Sequence, residues 1–173
     1  MSSLIRHCNI PFSREDECTF ITDKDGSLSY SEFMRQAIAV AVFLEKQKLW
    51  GQAIGVEVTR SKDTLVAFMG VLLSGNYYVP VSREMPEEKV EKIRQQINLA
   101  AYLYADHSLV KRLPEADEQD YKRLYKALEK VPEEAPLYVV FTSGSTGVLK
   151  GIIKSHQAMT HIFHVTCQHI SSL

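Results

Sequence analysis

Residues 138–151 read YVVFTSGSTGVLKG, an apolar run that breaks abruptly into a polar loop containing glycines and one lysine. The apolar run is β-branched and aromatic, which is the composition of a buried strand. Glycines allow the loop to adopt positive φ, so that successive N–H groups can line one concavity. Hydroxyl groups and the lysine add further donors and a mobile positive charge. The pattern therefore predicts a polyphosphate loop formed by Thr142, Ser143, Gly144, Ser145, Thr146, Gly147 and Lys150.

Two better-known phosphate motifs do not fit this loop. A Walker A motif has glycine directly before its lysine and Ser or Thr after it, whereas Leu149 precedes Lys150 and Gly151 follows it. The dinucleotide fingerprint G-x-G-x-x-G is also missing, because Gly144 and Gly147 form only G-x-x-G. The remaining alternative is an ordinary polar hairpin turn. The trailing lysine favours the phosphate loop, since turn chemistry does not require it.

Composition limits the class of protein. The chain has 173 residues and is 45% hydrophobic, which fits one globular domain with a sizeable core. Its net charge is -1, so neither nucleic acid nor an anionic membrane surface is an expected partner. The N-terminus lacks the shape of a signal peptide, and the three cysteines have no disulfide or zinc spacing. The expected location is the cytoplasm.

The rest of the chain alternates predicted strands and helices. Strands are predicted at 19–22, 53–58, 77–81 and 100–104, and helices from Ser29, over 61–74, after Pro86 and from about residue 156. We expect a loose lead-in over 1–17 and a surface connection over 106–136 that contains one amphipathic helix. This alternation predicts an α/β fold with a mainly parallel sheet flanked by helices, and ligands at the carboxyl ends of its strands.

Histidines and one cysteine crowd the last predicted helix: His156, His161, His164, Cys167 and His169. A helix face with this spacing could bind a transition metal. The alternative is a helix whose histidines are partly exposed and whose cysteine packs against the core. We favour the alternative, so no metal-binding residues are predicted.

Three segments resemble one family. TSGSTGVLKG resembles the phosphate-loop motif of adenylate-forming enzymes, which are acyl-CoA synthetases, luciferases and the adenylation domains of nonribosomal peptide synthetases. It departs at Phe141, where tyrosine is usual, and at Leu149, where proline is usual. LSYSEF at 28–33 and LLSGNYYVPVS at 72–82 resemble the first two core motifs of peptide-synthetase adenylation domains. In the second of these, Ser82 replaces the usual aspartate.

The resemblance implies the first part of the large N-terminal domain of such an enzyme, with residues 1–173 forming a partial AMP-binding domain truncated after the phosphate loop. The implied reaction joins ATP and a carboxylic acid, here an amino acid, into acyl-AMP and releases pyrophosphate. Carrier-protein phosphopantetheine or coenzyme A then accepts the acyl group. Lys150 would be the catalytic residue, because it neutralises charge on the pyrophosphate. The Mg2+ ligand is expected in the missing C-terminal part or a complementing chain.

Two hypotheses about function stay open at this point. In the first, the chain is the N-terminal fragment of an adenylating ligase and is inactive when isolated. In the second, it is a non-catalytic remnant or free-standing module that binds a nucleotide or a protein partner. The carboxylic acid, the thiol acceptor, the origin of the fragment and the oligomeric state are not determined by the residues.

Overall fold

The structure is a computed structural model that describes residues 3–12, 18–106, 109, 112–143 and 149–170. Its strands are β1 (Thr19–Asp23), β2 (Gly26–Ser29), β3 (Ala53–Val58), β4 (Tyr77–Ser82), β5 (Ala101–Leu103), β6 (Pro136–Ser143) and β7 (Leu149–Ser155). Its helices are α1 (Leu4–His7), α2 (Tyr30–Lys46), α3 (Lys62–Leu73), α4 (Glu87–Ile97), α5 (Glu118–Ala127) and α6 (His156–Ile170), with a 3-10 turn at Leu128–Lys130 after α5.

Within the described residues, five strands form the central sheet, in the order β5-β3-β4-β6-β7. The pairs β3–β5, β3–β4 and β4–β6 are parallel, and only β6–β7 is antiparallel. This confirms the predicted α/β fold with a mainly parallel sheet. The carboxyl ends of β5, β3, β4 and β6 consequently lie along one edge of the sheet, and the loop after β6 leaves from that edge.

Helices cover the two faces of the parallel strands. On one face, Ile54 and Val56 of β3 belong to a large cluster with the buried residues of α2, α3 and α5. On the other face, Val79 and Val81 of β4 pack with Val90 and Ile93 of α4. The alternating directions of neighbouring strand residues account for this division. The result is a three-layer arrangement whose middle layer is the sheet.

A short hairpin, β1–β2, forms a separate two-stranded sheet beside the helices. Its second strand leads into α2, where Ser29 and Glu32 form the predicted capping box. The β1 residue Asp23 accepts hydrogen bonds from the side chain of Lys62, at 2.8 Å, and from its backbone N–H, at 2.9 Å. These bonds hold the pKa of Asp23 well below its ordinary value. The carboxylate of Asp23 in the hairpin thus stabilises the first turn of α3. The strand β2 was not predicted from the sequence.

The expectation of a loose lead-in is wrong for residues 3–12. Ser3 and Ile5 are buried, and the N–H of Leu4 donates to Nδ1 of His156 at 3.1 Å. Further along, the hydroxyl of Tyr30 donates to the carbonyl of Pro11 at 2.7 Å. The sequence did not reveal this because a polar segment can be fastened by long-range bonds to its backbone carbonyls and N–H groups.

The expected surface connection over 106–136 also needs correction. Its predicted amphipathic helix is present as α5, but Tyr121, Leu124 and Leu128 are buried in the main cluster. The hydroxyl of Tyr121 donates to the carbonyl of Ile10, which connects α5 to the N-terminal segment. Burial raises the pKa of Tyr121 to about 12. Among the described residues, no helix has the length and apolar content needed to cross a lipid bilayer.

Candidate functional site

The predicted phosphate loop connects the two antiparallel strands β6 and β7. Their register pairs Thr142 with Lys150 and Ser143 with Leu149, so the strands close directly around residues 144–148. Upstream, Tyr138 pairs with Tyr78 of β4 in parallel, which ties β6 to the centre of the sheet. The loop therefore leaves the carboxyl end of a strand whose position is fixed by a parallel neighbour. Ligands of open α/β sheets bind at the carboxyl ends of the parallel strands.

The structure places three of the seven predicted site residues. Thr142 and Lys150 are exposed cross-strand partners, and Ser143 ends β6. Gly144, Ser145, Thr146 and Gly147 lie outside the described residues. Lys150 thus lies on the strand opposite Thr142, at the base of the loop. This placement is compatible with a lysine that reaches a ligand at the loop, and that role remains a prediction.

Stacked aromatic side chains support the strand from which the loop emerges. The ring of Tyr78 stacks on Phe68 of α3 at a centroid distance of 4.1 Å and on Tyr138 at 5.4 Å. The hydroxyl of Tyr138 contacts Sδ of Met159 in α6 at 4.0 Å. Burial raises the pKa of Tyr78 to about 12. Three elements of the core thereby constrain β6 before it reaches Thr142, which gives the loop a rigid base.

Gly151 explains why Phe141 can occupy the strand before the loop. The two residues are cross-strand partners. A Cβ on Gly151 would lie 3.3 Å from two carbon atoms of the Phe141 ring, so the phenyl group packs over the glycine. Phe141 is half-buried and packs against the cluster on the α4 face of the sheet. The departure from the usual tyrosine therefore leaves a packed aromatic ring at the base of the loop.

A cavity of 430 Å3 also lies at the carboxyl ends of the strands, next to β3, β4 and β5. Thr59 and Arg60 follow β3, Arg83 follows β4, and Asp106 lies shortly after β5. The hydroxyl of Thr59 is within 2.8 Å of Oγ of Ser61 at the start of α3. Sequence analysis did not single out these residues. Charged residues directly after predicted strands were the available signal, because parallel strands bring their carboxyl ends together.

The last helix, α6, differs in one respect from the expectation of partly exposed histidines. His156 is buried, with 3% of its surface exposed, whereas partly exposed histidines were expected. Burial lowers the pKa of His156 to about 4, and its Nδ1 accepts the hydrogen bond from Leu4 described above. His161 is exposed, and the side chains of His164, Cys167 and His169 lie outside the described residues. No group of three or more His, Cys, Asp or Glu side chains within the described ranges could hold a metal ion.

The geometry fits both alternatives that the sequence left for residues 142–150. A polar hairpin turn and a phosphate loop would each join β6 to β7 in this way. Two features are not required by a simple turn. Lys150 lies opposite Thr142, and the stacked rings of Tyr78 and Tyr138 hold β6 in place. Such a site could hold an anion between backbone N–H groups, hydroxyl groups and an ammonium group.

The chain is similar in sequence to one enzyme family and to several peptide synthases. A family model described as AMP-binding enzyme matches residues 12–172. A linear gramicidin synthase protein from Brevibacillus parabrevis is 31% identical over 154 residues, which cover 82% of this chain and 2% of that protein. Tyrocidine synthase 2 from the same organism is 28% identical over 167 residues, covering 90% of this chain and 5% of that protein. The chain thus spans a small fraction of the length of these relatives.

Solved structures with a similar fold include those of NpsA and VinN. The N-terminal subdomain of Klebsiella oxytoca NpsA, in complex with 3-hydroxyanthranilyl-AMSN, has a TM-score of 0.66 at 16% identity. The similar region covers 91% of this chain and 41% of that chain. VinN in complex with L-aspartate has a TM-score of 0.63 at 22% identity, covering 81% of this chain and 40% of VinN. At these identities the similarity establishes the fold alone.

Proposed function

Because the chain belongs to the AMP-binding enzyme family, we propose that residues 1–173 form the opening part of an adenylation domain that activates an amino acid with ATP. The β6–β7 hairpin carries this proposal, since it holds Lys150 opposite Thr142 at the base of the predicted phosphate loop. The family match favours this function over the non-catalytic remnant. The reaction as a whole requires residues beyond those of this chain.

The proposed reaction has two steps. In the first, a carboxylate oxygen of the amino acid attacks the α-phosphorus of ATP. The bond between that phosphorus and the oxygen bridging to the β-phosphate breaks, and pyrophosphate leaves with its electron pair. In the second, a thiolate attacks the carbonyl carbon of the acyl-AMP, forming a thioester and releasing AMP. Both steps form negative charge on phosphate oxygens, which positioned donors and cations stabilise.

The loop residues would stabilise the leaving pyrophosphate. The hydroxyls of Thr142, Ser143, Ser145 and Thr146, together with backbone N–H groups, would donate to the β- and γ-phosphates. Gly144 and Gly147 would let the backbone approach the phosphates closely. Lys150 would neutralise charge that develops on the departing group. Exposure of Thr142 and Lys150 on adjacent strands supports these roles, because both groups are available to a ligand.

The relatives support a class of substrate and of acceptor. Linear gramicidin synthase and tyrocidine synthase are similar to this chain in sequence, and VinN has been solved with L-aspartate. These similarities support an amino acid as the carboxylic acid and carrier-protein phosphopantetheine as the thiol, with coenzyme A as the other possible acceptor. Mg2+ would accompany ATP as its counter-ion. The family resemblance implies that its protein ligand lies in the polypeptide that completes the domain.

Calorimetric titration of the chain with ATP and with pyrophosphate tests the proposed loop. We expect Lys150→Ala to weaken binding about tenfold to a hundredfold, because a charged hydrogen bond contributes about 1.5–3 kcal/mol. Lys154→Ala is the matched control, since Lys154 lies on the same strand with Tyr138 as its partner, away from the loop. This control should bind like the unchanged chain.

Two results would contradict the proposal. One is equal binding by the unchanged chain and Lys150→Ala, which would show that the lysine contacts no phosphate. The other is an absence of ATP and pyrophosphate binding by the folded, unchanged chain. We also expect no exchange of pyrophosphate into ATP by the isolated chain, and exchange by this chain alone would contradict the proposed division of the domain.

A further inference from the structure

A cavity of 370 Å3 lies at the end of the sheet opposite the predicted phosphate loop. Trp50 and Ser74 line it and precede β3 and β4 in the chain, whereas the loop follows β6. Because β3, β4 and β6 are parallel, the cavity lies near amino ends of strands and the loop lies at a carboxyl end. Strands of six residues, such as β3 and β4, separate the two places by about 20 Å. We call this space the Trp50 cavity, and its other lining residues are Glu45, Lys48, Leu49, Leu124, Ala127 and Lys130.

The indole of Trp50 forms a rigid wall of the cavity. It packs over Gly75, where a Cβ would lie 2.4, 2.6 and 2.7 Å from three carbon atoms of the indole. Beside it, the carbonyl of Leu49 accepts a hydrogen bond from Nδ2 of Asn76 at 3.1 Å. Oδ1 of Asn76 accepts another from the N–H of Gln52 at 2.9 Å. Trp50 is nevertheless 41% exposed, so the segment before β3 holds a large aromatic surface in place without burying it.

The floor of the cavity is apolar. Leu124 of α5 is buried, and Leu49 and Ala127 are half-buried. The hydroxyl of Ser74 donates to a backbone carbonyl of α3 at 2.7 Å and accepts from Nδ2 of Asn76 at 2.8 Å, so it already has hydrogen-bond partners. A ligand would therefore be held against this floor by apolar contact.

Positive charge is available at the rim of the cavity. Lys48 and Lys130 are exposed, and neither forms an ion pair in the part of the chain that the structure describes. Glu45 also lines the cavity, but Nε and Nη2 of Arg123 contact its two carboxylate oxygens at 3.3 and 2.7 Å. The same guanidinium group pairs with Asp120 at 2.8 Å. Two ammonium groups are thus free to contact the negative charge of a ligand.

The backbone conformation of Lys48 gives the first of these lysines a further significance. Helix α2 ends at Lys46, and Lys48 has a φ of 58°, in the left-handed region. Glycine is the residue most often found at this position after a helix, because a Cβ is disfavoured there. The lysine therefore has a conformational cost that the turn itself does not require. Substitution by glycine removes the ammonium group without straining the backbone.

The size of the Trp50 cavity favours a small molecule over a protein partner. Sites for small molecules typically enclose about 300–1,000 Å3 and are mostly apolar with a few polar groups, as this cavity is. A stable protein interface buries about 800 Å2 on each partner. The other large apolar side chains exposed among the described residues lie on β1, α3, β7 and α6 and after β5. Trp50 is therefore not surrounded by an extended apolar face.

We propose that the Trp50 cavity binds a small amphipathic anion, whose apolar body packs against Trp50 and whose carboxylate contacts Lys48 and Lys130. Medium-chain fatty acids and aromatic carboxylates have this chemistry. The cavity lies at the opposite ends of the strands from the predicted phosphate loop, so the proposal does not depend on the proposed function. A bound anion would connect α2, α5 and the segments before β3 and β4.

Fluorescence titration with octanoate tests this proposal. Trp50 is the single tryptophan of the chain, so its emission reports on the cavity. We expect a saturable shift to shorter wavelength with a dissociation constant of about 1 mM or below, because bound octanoate excludes water from the indole. 1-Octanol has the same apolar chain without the charge and should bind about threefold to tenfold more weakly. At about 1 M salt the two affinities should converge, because salt screens exposed charges.

Variants of the rim separate charge from apolar contact. Lys48→Gly and Lys130→Ala should each weaken octanoate binding about twofold to fivefold and leave 1-octanol binding unchanged. Lys46→Ala is the matched control, because Lys46 is exposed at the end of α2 and does not line the cavity. Trp50→Ala should weaken binding of both ligands, measured by calorimetry. Thermal unfolding of each variant verifies that it is folded.

Lys150→Ala distinguishes this cavity from the predicted phosphate loop, where a carboxylate could also bind. We expect this variant to bind octanoate like the unchanged chain. A loss of octanoate binding in Lys150→Ala would place the ligand at the loop and overturn the proposal.

Three other results would also overturn it. The first is the absence of a saturable shift of Trp50 emission with octanoate. The second is equal binding of octanoate and 1-octanol at low salt that neither rim variant changes, which would show that the cavity does not select an anion. The third is binding of a short acidic peptide with one phenylalanine that is tighter than that of octanoate and is lost in Trp50→Ala. That result would make a protein segment the occupant.

Discussion

The strands at the centre of the sheet and the strand β7 at its end differ in how completely their side chains are buried. Ile54 and Val56 of β3 and Val79 and Val81 of β4 are each 0% exposed. On β7, Ile152 and Ile153 are 47% and 62% exposed. We call β3, β4 and β5 with their covering helices the covered half, and the β6–β7 hairpin with α6 the open half. The same kind of side chain is thus used for packing in one half and remains accessible in the other.

This difference separates stability from function within one sheet. The covered half has helices on both faces, so its apolar surface is removed from water within the chain itself. The open half contains the predicted phosphate loop and the exposed strand β7. Truncation of apolar strand residues should therefore lower the free energy of unfolding more on β3 and β4 than on β7, and substitutions at the predicted loop should change binding. The following experiments compare matched residues in the two halves.

The largest effect is expected from truncating an isoleucine in each half. Ile54→Ala should lower the free energy of unfolding by about 2–5 kcal/mol, because it leaves a cavity in a fully buried cluster. Ile152→Ala should lower it by less than about 1 kcal/mol, since water can fill the space. Urea denaturation of both variants measures the difference. Equal losses would mean that the open half is as closely packed as the covered one.

The next effect is a pH dependence that comes from the buried histidine of the open half. The pKa of His156 is about 4 in the folded chain, below its ordinary value of 6.5. As pH falls, the unfolded chain takes up the proton first, so stability is full above pH 6.5 and decreases toward about pH 4. The loss should be no more than about 3 kcal/mol. Denaturation midpoints across this range measure it.

His156→Asn is the matched variant, because its side-chain oxygen can accept the Leu4 hydrogen bond without titrating. We expect this variant to lose the pH dependence between 6.5 and 4. The exposed His161→Asn serves as the control for an ordinary change of histidine number. A slope that persists in His156→Asn would show that another group causes it.

A smaller effect is expected from adding a methyl group to one glycine in each half. At Gly70 of α3, a Cβ would lie 2.5 Å from Cβ of Val40 and 2.7 Å from the carbonyl oxygen of Ala37, both in α2. Gly70→Ala should therefore lower stability by about 1–2 kcal/mol despite its better helix propensity. A Cβ at Gly151 would meet the Phe141 ring at 3.3 Å and Cγ1 of Val139 at 3.4 Å, which small side-chain shifts can relieve, so Gly151→Ala should change stability by less than about 0.5 kcal/mol. Thermal unfolding of both variants measures the two losses of stability. A larger loss for Gly151→Ala would mean that the β6–β7 hairpin is packed more closely than the contact between α2 and α3.

The smallest effect comes from the helix caps. Ser29 accepts the N–H of Glu32 at the start of α2, and Ser155 accepts the N–H of Ala158 at the start of α6. Ser29→Ala should cost about 1 kcal/mol, since α2 is buried against the sheet. Ser155→Ala should cost less, because His156 is the only buried side chain among residues 156–163. Similar losses in denaturation experiments would indicate that α6 contributes to the core as much as α2.

Much of the fold could be predicted because its signals are local. The strand predicted at 53–58 has the observed bounds, and the capping box at Ser29 is present. The helix predicted over 61–74 is observed as Lys62–Leu73. Each of these elements follows from periodicity, cap residues and turn residues within a few positions. The same local signals located the predicted phosphate loop, although not the contacts that support it.

The missed features depend on residues far apart in the chain. The pairing of β7 with β6, the bond from Leu4 to His156 and the bonds from Lys62 to Asp23 join segments that no local pattern connects. The cavity at the ends of β3, β4 and β5 requires knowledge of which strands are neighbours. Tyr121, Leu124 and Leu128 recur at helical spacing, so the amphipathic helix could be predicted, but not that its apolar face packs into the main cluster.

The sequence by itself determined the α/β class, the order of most elements, the family and the position of the candidate phosphate loop. These properties depend on hydrophobic periods, cap and turn residues and short motifs, which are written in consecutive residues. Only the tertiary structure decided that β7 lies at an open edge, that His156 is buried and that the N-terminal segment is part of the core. Exposure and hydrogen bonding at these positions depend on how distant segments pack, because a side chain is buried by its neighbours in space.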